Sequence, residues 1–130
     1  MSKYYRLHIN CKPDKNVYES ISQILGVAPM PFEPSKMFPV DTYSDWTYEV
    51  IERDEDNHYD FINEFIDLIE PKLAELDKIG ITVKDILIWK LYEYQHQCAM
   101  DFHPEEMKRL GEIGIHLNID CWESNTENND

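Results

Sequence analysis

What this chain has little of already narrows its functions. Only four of its 130 residues are glycine, at Gly26, Gly80, Gly111 and Gly114. None is arranged as G-x-G-x-x-G or G-x-x-x-x-G-K, so the backbone cradle that holds a nucleotide phosphate is missing. No G-x-S-x-G elbow occurs, which argues against α/β-hydrolase chemistry. Positive charge is scarce as well. Twelve Lys and Arg stand against 26 Asp and Glu, a formal net charge of -14. Such a surface repels phosphate backbones and anionic headgroups, so neither nucleic acid nor a membrane is an expected partner. It steers association with a basic protein instead.

Cysteine is sparse and odd in number: Cys11, Cys98 and Cys121. Wide spacing argues against a secreted disulfide framework. No C-x-x-C pair and no H-x-x-x-H helix pair is present, so no metal is expected, and no cofactor. By strand alternation all three thiols fall on inward-facing positions, where they behave as small hydrophobes. No apolar run approaches the roughly 20 residues of a membrane span. Residues 1–9 have no apolar h-region, so no signal peptide is expected and a reducing cytoplasm is the expected compartment.

What is present is clear periodicity. Tyr5, Leu7, Ile9 and Cys11 alternate with Tyr4, Arg6, His8 and Asn10, the pattern of a half-buried strand. Asp14 is placed to cap a helix whose stripe is Val17, Ile21, Ile24 and Leu25, stopped by Gly26. Pro29, Pro31, Pro34 and Pro39 make residues 27–44 a long connection, in which Met30, Phe32, Met37 and Phe38 either fold back onto the core or form a contact surface. Trp46, Tyr48 and Val50 open a second strand. Asn57 is placed to cap the longest helix, reaching about Asp77, with the stripe Tyr59, Ile62, Phe65, Ile66, Ile69, Leu73 and Leu76. Pro71 should kink or break it. Residues 86–94 carry bulky side chains at both parities and predict a central strand. Cys98 to Phe102 reads as a short strand returning antiparallel to it. Pro104 then opens a helix with acids in its first turn and Met107, Leu110 and Ile113 on its buried face. Ile115, Leu117, Ile119 and Cys121 alternate with polar residues in a last strand.

The expected order is therefore β-α-β-α-β-β-α-β. The fold class is α+β, a mixed or antiparallel sheet with helices packed on one face and water on the other. Residues 1–122 are expected to form one domain and residues 123–130 a disordered acidic tail.

Several stretches in this order resemble one family. They are "PDKNVYESISQILGVAP", a Trp in the second strand, "LIEPKLAEL", and "HPEEMKRLGEIGIHLNIDCW". The residues that carry the likeness are Pro13, Leu25, Gly26, Pro29, Trp46, Leu68, Pro71, Leu73, Pro104, Glu105, Leu110, Gly114, Ile119 and Asp120. The chain resembles the small bacterial domain-of-unknown-function family catalogued as forty-two seventy-nine, over nearly its whole length. The resemblance implies the fold and a bacterial source, and it implies no activity.

Two groups of residues are candidates for function. Asp60, Glu64 and Asp67 repeat at i, i+4, i+7 and share one helix face. Like charges at that spacing cost a few tenths of a kcal/mol each, so the face is a candidate for a basic protein partner, together with Met30, Phe32, Met37 and Phe38. The concrete form of that reading is a non-catalytic, immunity-type protein that neutralises a basic toxin. The alternative is a small-molecule binder or enzyme on the open sheet face. There His8 and Asn10 of the first strand, with His116, Asn118 and Asp120 of the last, form one polar patch if those strands pair. No nucleophile accompanies the histidines, so no catalytic residue is assigned. A structural or self-associating domain is the third reading.

Overall fold

Tyr5, Leu7 and Ile9 are fully buried, while Tyr4, Arg6 and His8 between them stay partly accessible. The period-two pattern thus sets the two faces of β1 (Lys3–Asn10). The computed structural model describes residues 2–31 and 42–124. Around β1 it builds a four-stranded mixed sheet in the order β2-β1-β3-β4. β1 runs antiparallel to both β2 (Asp45–Glu52) and β3 (Ile86–Tyr94). β3 runs parallel to β4 (His116–Glu123). A parallel pair needs a crossover, and α4 (Pro104–Ile113) supplies it.

The helices all pack on one face. α1 (Lys15–Leu25) buries Ile21 and Leu25. α2 (Phe61–Ile69) buries Phe61, Ile62, Phe65, Ile66 and Ile69. At roughly 1.5–3 kcal/mol for each fully buried apolar side chain, α2 is the main anchor of the helical layer. These side chains meet Tyr5, Leu7, Ile9, Trp46, Ile86 and Ile88 from the sheet in one cluster. Trp46 also donates from Nε1 to Ser22 Oγ at 2.9 Å, which ties β2 to α1. The α+β class and the one-sided helical layer are therefore as the alternation predicts.

Local signals set most boundaries. Asp14 Oδ1 accepts from the N–H of Asn16 at 2.8 Å and of Val17 at 3.4 Å, capping α1. Gly26 ends it with φ of 74°, and Gly114 ends α4 with φ of 80°, left-handed conformations that a side chain would strain. Pro71 does break the long helix. α2 stops at Ile69, a 3-10 turn covers Glu70–Lys72, and α3 (Leu73–Lys78) follows.

Six expectations need correction or fall outside the described residues. Asn57 is not the cap, because the Tyr59 N–H is drawn away to Glu52 Oε1 at 2.7 Å and the helix begins only at Phe61. Cys98 to Phe102 is not a strand: β1 and β4 already occupy both edges of β3, leaving no free edge for pairing. Met107 is 55% exposed, because the short α4 turns only Leu110 and Ile113 toward the core. Cys121 is exposed, since β4 is an edge strand that the helices do not reach along its second half, while Cys11 and Cys98 are half-buried. Of the expected tail, Glu123 belongs to β4, and Ser124 is buried with its N–H donating to Tyr94 O at 2.6 Å. Residues 125–130 lie outside the described residues, as do Phe32, Met37 and Phe38. Among the described residues no helix is long and apolar enough to cross a membrane.

Candidate functional site

The face of the sheet turned away from the helices can be read row by row from the register. One row runs Thr47, His8, Leu87, His116. The next runs Glu49, Arg6, Trp89, Asn118, and the third Ile51, Tyr4, Leu91, Asp120. β1 and β4 therefore do not pair. Leu87 stands between His8 and His116, which are two strand spacings apart, roughly 9–10 Å. At that separation the two rings cannot share a proton, and the joint patch expected of them does not form.

His8 instead belongs to a network with β2. Its Nδ1 lies 2.7 Å from Asp45 Oδ1 and 3.0 Å from Thr47 Oγ1. Its Nε2 lies 2.8 Å from Asn10 Oδ1. Thr47 Oγ1 donates to Asp45 Oδ1 at 2.9 Å. An acceptor at each ring nitrogen suits the doubly protonated ring. Burial by itself lowers the His8 pKa, but the hydrogen bonds to Asp45 and Asn10 and the charge of Asp45 outweigh it and raise the value. The His8 hydrogen bond in turn holds Asp45 below the ordinary carboxylate value, against the opposing effect of burial. One row on, Arg6 Nε donates to Glu49 Oε2 at 2.6 Å. These two ion pairs staple β1 to β2. A general base needs a nitrogen free for its substrate, and both nitrogens of His8 are taken.

What the stapled rows leave open is the middle of the sheet. Leu87, Trp89 and Leu91 of β3, each half-buried, form an apolar strip that no helix among the described residues covers. A shallow hollow of about 480 Å³ spans it, bounded by Arg6, His8 and Asp45 on one side and Asp120 on the other. Ile51 is 38% exposed near one edge, and Trp122 is 40% exposed near the other, donating from Nε1 to Glu93 Oε2 at 3.2 Å.

The helical carboxylates lie on the other side of the molecule and are partly used internally. Asp60 accepts from Asn63 Nδ2 at 3.0 and 3.3 Å. Asp67 is paired with Arg109 of α4, whose Nη1 also donates to Asn63 Oδ1 at 2.9 Å. Glu64 is exposed. Met30 is half-buried and donates its N–H to Thr47 O at 2.7 Å, so it is held against β2.

Residue patterns alone missed Arg6, Asp45, Thr47, Glu49, Leu87, Trp89 and Leu91. A usable signal existed. β3 is apolar at both parities, as a strand covered on both faces would be, whereas β1 and β4 promise a sheet covered on one face only. Among the described residues, no three His, Cys, Asp or Glu side chains gather as a metal-binding group. Comparison of the chain with family models, with curated proteins and with solved structures gave no match.

Proposed function

We propose that this chain is a non-catalytic binding protein that docks a basic protein partner on its open sheet face. The observation that carries the reading is the strip Leu87, Trp89 and Leu91 at the centre of the sheet, apolar, half-buried and overlaid by no helix among the described residues. An apolar centre holding a large aromatic residue, inside a charged rim, is how protein interfaces are built. The rim is mainly acidic, with Asp45, Glu49, Glu93 and Asp120 against Arg6 and the protonated His8, in keeping with the net charge of -14. Complementary charge would speed encounter with a basic surface at low salt. An immunity-type protein that masks a basic toxin is the concrete form of this reading, supported by size and charge. The closed coordination of His8 favours binding over acid-base chemistry.

Affinity capture from the source cells at low salt tests it, with the wild-type chain beside Trp89→Asp and Glu64→Gln. Trp89 lies on the open face, outside the core cluster, so its replacement should leave the fold intact. The wild-type chain and Glu64→Gln should retain the same basic protein, and Trp89→Asp should lose it. With the purified pair, loss of a central Trp should weaken binding by about 30-fold or more. Recovery of no specific basic protein, or equal recovery by Trp89→Asp, overturns the reading.

A further inference from the structure

On its helical face β3 interrupts its own pattern. Ile86 and Ile88 point into the core, and the next inward residue is Lys90, only 7% exposed. A buried ammonium normally finds a carboxylate. Lys90 has none within ion-pair distance among the described residues, and its Nζ sits 5.9 Å from the Tyr5 ring and 5.7 Å from the Tyr92 ring. Glu52, the acid best placed to serve it, is already engaged. It accepts from the Tyr5 hydroxyl and the Tyr59 N–H, and it faces Lys3 at 3.6 Å and His58 at 3.3 Å. Burial, and after it the charge of Lys3, pushes the Lys90 pKa down.

The same ammonium lines a cavity of about 510 Å³, a volume suited to a small molecule. Lys3 lies beside it, and Phe61, Ile62, Met100 and Phe102 supply carbon walls. The first turns of α2 and α4 border the cavity through Phe61 and Glu106. Asp60, Asp101 and Glu106 also line it and disfavour a multiply charged anion.

We propose that this cavity binds a small organic monocarboxylate, its head on Lys90 and Lys3 and its apolar body against Phe61, Ile62, Met100 and Phe102. The site is separate from the open sheet face and does not depend on the docking reading. In such a complex the carboxylate provides the counter-ion that Lys90 lacks, and the carbon walls replace water around the body of the ligand.

Thermal unfolding and calorimetry on the full chain, with 3-phenylpropionate, hexanoate, 3-phenylpropan-1-ol and inorganic phosphate as probes, test the proposal. Both carboxylates should raise Tm at millimolar concentration, and the alcohol and phosphate should not. Lys90→Met should unfold at or above the wild-type temperature, because an unpaired buried charge is gone, and should bind the carboxylates at least tenfold more weakly. Met100→Glu places an acid in the wall from a connecting segment and should abolish binding, providing a second reading should Lys90→Met not fold. Trp89→Asp should bind the carboxylates as the wild type does. Failure of both carboxylates to bind overturns the proposal, as does binding of phosphate as tightly as the carboxylates. Binding undiminished in both folded cavity variants overturns it too.

Discussion

Replacing Tyr5 with Phe tests whether the buried Glu52 carboxylate organises one end of the seam between sheet and helices. Glu52 ends β2 on the inner face and is 8% exposed. Its Oε1 accepts from the Tyr5 hydroxyl at 3.0 Å and the Tyr59 N–H at 2.7 Å. Burial by itself would raise the Glu52 pKa, but those two hydrogen bonds together with Lys3 hold it below the ordinary value. Tyr5→Phe removes one donor and keeps the ring, which stacks on Phe61 with centroids 4.8 Å apart. A hydrogen bond to a charged group contributes about 1.5–3 kcal/mol, so the variant should lose about that much. Glu52→Gln keeps an oxygen acceptor and discards the charge. Because Glu52→Gln weakens the same bond that Tyr5→Phe removes, the double variant should be less destabilised than the sum of the singles by about 1 kcal/mol. Urea unfolding measures this as a lower midpoint with an unchanged slope. The pH dependence has a definite sign. A carboxylate whose folded pKa is depressed contributes fully above its unfolded value, about 4.3, and that share is lost as pH falls through the folded value. Glu52→Gln should therefore flatten the acid limb of the stability curve. Coupling below about 0.3 kcal/mol, or an acid limb as steep as in the wild type, would refute the reasoning.

Asp45→Asn should lower the His8 pKa toward its ordinary value, followed by imidazole NMR; the stability due to His8 is complete below about pH 6.5 and is lost as pH rises through its raised folded value, while that due to Asp45 is lost as pH falls below about 3.9. Trp46→Phe deletes the bond to Ser22 and opens a small void in the core, and should cost about 2 kcal/mol by urea unfolding. Asp67→Asn breaks an accessible pair with Arg109 and should change stability by less than about 1 kcal/mol, with smaller effect as salt is added.

Elements defined by near neighbours were legible from residue order. Asp14, Gly26, Pro71 and Gly114 act on the backbone within a turn of themselves, so the ends of α1, α2 and α4 could be read from residue types. The stripe of α2 follows from the 3.6-residue period, and the faces of β1 from the period of two. The Asn57 cap failed because its competitor, Glu52, belongs to another strand and reaches Tyr59 only after the chain has folded. Cys98 to Phe102 failed for a similar reason: strand propensity cannot tell that both edges of β3 are taken.

The candidate sites were less visible, because each is made by pairing. Residue order placed His8 and His116 outward but could not put Leu87 between them. It gave no sign that Lys90 turns inward beside Ile86 and Ile88, or that Glu52, its natural counter-ion, is engaged by Tyr5, Tyr59 and Lys3. Periodicity and capping are local and survive in any fold, so class, helix faces and turn positions belong to the sequence alone. Strand order, the half-exposed apolar strip on β3 and the ammonium on its other face with no acid partner among the described residues arise only when distant segments compete for the same edges and charges, and tertiary packing decides that competition.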